Sequence, residues 1–141
     1  MAAKVGKAEV QKALGEIKLM DAGRRAQAAI TLGLYGDDHV LPALKQAARD
    51  SAAQVKVAAL YSLCLLGDKE AIPQLIPFLS TDRPRSRKLA LTALEQSTDV
   101  KHGGDSEDVE SCKKAEEAWS AWWKQNSAKV KWAQEKKRYT L

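Results

Sequence analysis

Two histidines, two cysteines and four tryptophans are the side chains in this chain best suited to reaction or recognition. His39 and His102 lie far apart, and neither stands beside a cysteine or carboxylate at the spacing that lets one turn or helix present several ligands to a metal. Cys64 falls in an apolar stretch and Cys112 near the start of a later helix, so both read as free thiols of a reducing compartment and not as a disulfide framework. No glycine-rich phosphate loop, zinc motif or Ser–His–Asp order is present. The expectation is therefore a protein that is not an enzyme, with no catalytic residue, no metal and no cofactor.

The four tryptophans all fall after residue 118. Indole rings stack on bases or sugars, but Trp119, Trp122 and Trp123 recur at i, i+3, i+4 along one helix, which places most of them against protein. Together with Trp132 they are expected to form a structural cap, with Trp119 and Trp122 buried and Trp123 or Trp132 the more exposed.

Charge is unevenly distributed. Residues 1–112 hold 15 basic and 15 acidic residues, and residues 113–141 hold eight basic and three acidic, so the whole net charge of +5 lies in the last segment. The pI near 9.2 thus describes a neutral body with a basic tail. No stretch approaches the roughly 18 consecutive apolar residues of a membrane span. The first twenty residues carry charge throughout, without the apolar core of a signal peptide. The expected location is the cytoplasm, or the periplasm or exterior if a leader has been removed.

The elements that must position these side chains follow a repeat. Residues 55–68, VKVAALYSLCLLGD, read as a helix closed by Gly67-Asp68, and the same positions recur 31 residues to either side. Arg25, Lys56 and Arg87 align, as do Ala28, Ala59 and Ala90, Leu32, Leu63 and Leu94, and Gly36-Asp37, Gly67-Asp68 and Thr98-Asp99. A fixed period of helix pairs predicts a stacked α-solenoid. The fold class is all-α: a short right-handed solenoid of about three antiparallel helix pairs, a C-terminal capping helix and a small β-hairpin tail. Residues 7–19 carry Val10, Ala13, Leu14 and Ile17 on one side of a first helix, and Asp21 can cap a second over 22–35. Helices follow over 38–48, from Asp50 or Ser51, and over 84–97 behind Asp82 and Pro84; the small Ala28, Ala59 and Ala90 mark the close crossings of each pair. The polar segment 97–108 reads as a loop, 107–127 as the Trp-bearing helix, and VKW with RYTL as two short strands or an extended tail packing back. The solenoid would occupy 1–106, and 107–141 would pack on the same domain, with helix 107–127 docked on the flank around Leu91 and Leu94.

At Arg25, Ala28, Leu32-Gly33 and Gly36-Asp37, and again at Lys56, Ala59, Leu63, Leu66 and Gly67-Asp68, the chain resembles HEAT repeats. The short period is most similar to the bacterial variety first associated with phycobilisome bilin lyases, and the ending from Trp119 resembles a tail found on bacterial HEAT-repeat proteins. The resemblance implies that Arg25, Lys56 and Arg87 pair with acidic residues of the inter-helix turns, such as Asp21, Asp50 and Asp82, in a ladder between repeats.

Solenoids of this kind build extended concave surfaces. The leading expectation is a non-catalytic scaffold that presents its second helices as a groove for a protein or peptide. Arg24, Gln27, Thr31, Val55, Tyr61, Ser62 and Leu89 would face that groove, with Ala58, Ser86 and Ala93 beside them. The alternative is nucleic-acid binding through the Trp-rich basic tail and the Arg83, Arg85, Arg87, Lys88 cluster, as in the HEAT-like DNA glycosylases. Chemistry on a bilin, which the repeat's name suggests, lacks any nucleophile or acid placed for it.

Overall fold

Helix boundaries in this chain are set by a few capping carboxylates, prolines and glycines. The computed structural model describes residues 2–104 and 107–141, with side chains from residue 7 onward. The first pair is α1 (Ala2–Glu16) and α2 (Ala22–Tyr35). Asp21 caps α2 as expected, its carboxylate accepting from the Gly23 and Arg24 amides. α1 stops short of the expected residue 19, and the carbonyls of Leu19 and Met20 instead accept from the Arg25 guanidinium.

The second pair begins with a 3-10 turn (Asp38–Val40) that the Asp37 carboxylate caps through the His39 amide, followed by α3 (Leu41–Ala47) with Pro42 in its first turn, and then α4 (Ala53–Leu65). The third pair is α5 (Ala71–Leu75), which tightens into a 3-10 turn (Ile76–Ser80), and α6 (Pro84–Thr98). That tightening has a local cause: Pro77 has no N–H to bond one turn back to Pro73, so the α-helical ladder cannot continue. Neither α4 nor α6 is capped by the expected side chains. Ala52 and Arg83 hold the cap positions without a side-chain bond, and before α4 Asp50 spends its carboxylate on Arg25 and on the Ala52 amide.

α4 is the centre of the stack. It packs on α2 before it and α6 after it, with α3 and α5 beneath. Eight of its residues are buried, from Val55 to Cys64, so it is apolar nearly all round. The second helices lie parallel and in register. Residues 23, 54 and 85 at their starts share one hollow, and near their ends the Cys64 thiol lies 3.2 Å from the Ser97 hydroxyl. Ala28, Ala59 and Ala90 are all buried.

The upstream flank of each second helix is legible by equivalence. Ser62 of α4 faces α2, where its hydroxyl donates to the Ala29 carbonyl, and Ala93 of α6 takes the same place against Cys64. The equivalent flank of α2 carries Arg24, Thr31 and Tyr35 where α4 has Val55, Ser62 and Leu66, so the stack begins on a polar surface. At the other end, Lys88 and Glu95 stand where α4 has Val57 and Cys64. Polar outer flanks of this kind are a feature of terminal repeats in solenoids.

α7 (Val109–Asn126) begins at Asp108, whose carboxylate accepts from the Ser111 amide. It packs chiefly on α5 and the 3-10 turn at Ile76–Ser80, while its Ala115 and Leu91 of α6 both flank Gly104, so it comes near the expected side of α6 only at that edge. It thus continues the layer of first helices, while α6 is covered by β2 of an antiparallel hairpin, β1 (Lys131–Ala133) and β2 (Arg138–Thr140), in which Trp132 pairs with Tyr139. The expected loop agrees over residues 99–104; residues 105 and 106 lie outside the described residues.

Candidate functional site

α2, α4 and α6 leave one side free of other elements along part of their length, and there they form a shallow hollow of about 130 Å³. Its floor is Ala26, Ile30, Val57, Ala58 and Leu89, and its polar rim is Gln27, Gln54 and Arg85. The 31-residue register explains this set. Gly23, Gln54 and Arg85 are equivalent, as are Gln27, Ala58 and Leu89, and Ile30, Tyr61 and Thr92. One turn further on, Leu34, Leu65 and Gln96 extend the same stripe, with Leu34 61% exposed. None of these twelve positions carries a carboxylate.

The residues expected to face a groove divide into three groups. Gln27, Tyr61 and Leu89 lie on the outward stripe, with Gln27 exposed and the other two half-buried. Arg24 and Thr31 are accessible but stand on the upstream flank of α2. Val55 and Ser62 are fully buried, and so are Ala58, Ser86 and Ala93 to within 4%. The expectation for Val55 and Ser62 is thus corrected: a helix in mid-stack is covered on two flanks and beneath, so its accessible stripe is far narrower than the polar half of an isolated helix. Ile30 follows once Tyr61 is shifted back by the repeat length, and Gln54 and Arg85 lie one helical turn before Ala58 and Leu89.

The expected ladder forms at one rung. The Arg25 guanidinium makes two bonds to the Asp50 carboxylate of the next repeat, at 2.9 and 3.1 Å. These bonds hold the Asp50 carboxyl below its ordinary range. Arg87 instead donates to the Thr81 carbonyl of its own turn at 2.7 Å, and Lys56 is exposed with no ion pair among the described residues. An ammonium reaches fewer acceptors from this position than a planar guanidinium with five donors does.

Trp119 is fully buried, its ring edge-on to Trp122 at 5.5 Å and to His102 at 4.9 Å. His102, in the loop before α7, therefore packs against the aromatic layer. Trp122, Trp123 and Trp132 are all half-buried. Trp132 lies over Gly67, where a methyl group would come within 2.8 Å of the indole, and the positive φ of 99° at this glycine also disfavours a side chain. Tyr139 donates to the Cys64 carbonyl at the end of α4, and its burial raises the phenol's pKa. Burial likewise pushes the Cys64 thiol up to about 12, so it is no nucleophile at neutral pH. No cluster of three metal-ligating side chains occurs among the described residues, and no described helix is long and apolar enough to cross a membrane.

Helix pairs stacked in register, with an open stripe along their second members, define an α-solenoid repeat protein. The sequence profile of HEAT repeats matches residues 41–115, more than half of the chain, and that of the PBS lyase HEAT-like repeat matches residues 24–50. The chain belongs to the HEAT-repeat proteins, a family that generally mediates protein interactions and is generally non-catalytic. No curated protein and no solved structure matches it.

Proposed function

We propose that this chain is a non-catalytic scaffold module that binds a protein or peptide on the outward stripe of α2, α4 and α6. The observation that carries this reading is the hollow that crosses all three second helices, with Ile30, Ala58 and Leu89 as an apolar floor and amide side chains at its rim. Such a surface offers apolar contact to side chains and hydrogen bonds to a peptide backbone, the mixture found at protein interfaces. The exposed Leu34 and half-buried Tyr61 and Leu65 extend it toward the C-terminal ends of the helices. Tyrosine is among the residues that carry binding energy at interfaces, which makes Tyr61 the central contact.

The test is co-purification of a partner with the intact chain, followed by affinity measurement on Gln27→Ala, Tyr61→Ala and Leu89→Glu. A central contact should cost about 1–2 kcal/mol or more on truncation. Affinities unchanged in all three variants, each with unaltered circular dichroism, would place the interface elsewhere.

A further inference from the structure

The even balance of charge over residues 1–112 hides a separation that the fold makes visible. The three segments 18–26, 49–57 and 80–88 are equivalent in the repeat and contain the turns entering α2, α4 and α6 with the first helical turns that follow. They hold nine Lys and Arg against Asp21, Asp50 and Asp82. The turns at the opposite ends of these helices, residues 35–43 and 66–74, hold four carboxylates against Lys69 alone. Because α2, α4 and α6 run parallel, the nine cations line one edge of the stack and the four carboxylates the other.

Much of the basic edge is uncommitted to the fold. Arg25 is bound by Asp50 and Arg87 by a turn carbonyl, and Asp21 is occupied as the cap of α2. The other seven cations are exposed, Lys56, Arg85 and Lys88 among them. None of the three helices has an acidic residue in its first turn. The cations in these first turns oppose the helix dipole, which favours carboxylates at this end, and only α2 has a carboxylate cap to offset them. Cations that weaken the helix dipole while making no side-chain hydrogen bond or ion pair among the described residues are the ones to examine for a contact outside the protein.

The basic edge borders the apolar stripe directly, since Arg85 belongs to both. We propose that the partner seated on α2, α4 and α6 is an acidic polypeptide segment bearing apolar anchors. Its carboxylates meet the edge formed by Lys56, Arg85 and Lys88, and its apolar side chains lie on Ile30, Tyr61, Leu65 and Leu89. This rests on the protein-binding reading above and specifies the partner's chemistry. A polypeptide uses both halves of the surface. A nucleic acid would satisfy the edge but would leave the exposed Leu34 and the apolar floor without a counterpart, and the roughly 130 Å³ hollow suits a side chain better than a base. Opposite charge across an interface raises association rate and selects the partner, and the contribution weakens with salt.

The experiment titrates the full chain with fluorescein-labelled probes: a peptide in which Glu alternates with Leu and Phe, the same peptide with Gln in place of Glu, poly-Glu, and single-stranded and duplex DNA. The acidic apolar peptide should bind most tightly. Its affinity should fall about tenfold or more in K56E/R85E/K88E, and by a similar factor in Leu89→Glu, each variant being checked for unaltered melting. Equal binding of the Gln peptide, with the loss in Leu89→Glu retained, would overturn the acidic partner while leaving the groove reading intact. Equal binding of poly-Glu, insensitive to Leu89→Glu, would overturn both. Tighter binding of DNA than of any peptide, or no peptide binding at all, would also overturn the proposal.

Discussion

Gly33 of α2 and Ser62 of α4 meet where a side chain on Gly33 would come within 2.3 Å of the Ser62 hydroxyl and 2.9 Å of its Cα atom. The absent side chain lets the two helices approach closely enough for Ser62 to donate to the Ala29 carbonyl at 2.6 Å. In the next interface the order of sizes is reversed: Cys64 stands at the glycine's position and Ala93 at the serine's, with the sulfur 3.9 Å from the Ala93 carbonyl. Each interface thus places one small residue, on alternate sides. Gly33→Ala should destabilise the protein by roughly 1–3 kcal/mol, since the clash reaches backbone that cannot rotate away. The double variant Gly33→Ala/Ser62→Gly should recover part of the loss, measured as a coupling energy in urea denaturation. Additive losses would show that the contact is not limiting.

Trp119 is the largest fully buried side chain in the chain, and truncation to alanine should cost about 3–5 kcal/mol. Trp123→Ala, at a half-buried position on the same helix, should cost distinctly less. Deleting residues 107–141 would uncover the apolar surface of α5 and the turn at Ile76–Ser80 as well as the β2-facing side of α6. Such a fragment should aggregate or lose cooperative melting. A soluble fragment that melts as sharply as the whole chain would make the last 35 residues an appendage.

The Arg25–Asp50 pair predicts an acid limb. Asp50 is held below its ordinary pKa of 3.8 in the folded protein, so the stability it contributes is fully present above that value. It is lost as pH falls through the lower folded pKa. Asp50→Asn should lower stability at neutral pH by about 1–3 kcal/mol, between exposed ion pairs and charge-assisted hydrogen bonds. It should also flatten the dependence of melting temperature on pH in the acid range. Lys56→Ala, at the equivalent unpaired position, should change neither by much.

Cys64 predicts the opposite limb. Its thiol rises from 9.0 in the unfolded chain to about 12 when folded. Its contribution is therefore intact below about pH 9 and is lost as pH rises from there toward about 12. Cys64→Ala should lessen that alkaline loss, followed by denaturation at stepped pH. With Cys112 also buried, native protein should react negligibly with a thiol reagent at neutral pH, and both sulfurs should react in denaturant. Rapid labelling of Cys64 in the native state would contradict its burial.

The repeat was legible from residue types alone, because a helix pair that cannot bury its apolar face unaided must stack, and stacking imposes a period on Arg25, Ala59, Leu94 and the Gly-Asp turns. The Asp21 cap, the span of α2 and the paired strands around Trp132 and Tyr139 were legible for the same local reason: each depends on neighbours in sequence. What only the tertiary structure decided is which accessible positions remain once helices lie side by side. Val55 and Ser62 are as plausible on an isolated helix wheel as Tyr61, yet they are buried because α2 covers that flank. The seat of α7 chiefly on α5 and the turn at Ile76–Ser80 was equally beyond reach, since it depends on where the layer of first helices lies in space and not on residues near α7 in sequence. The basic edge has the same origin. Its cations are spread over some seventy residues of a neutral stretch, and parallel packing of three helices is what brings them to one side.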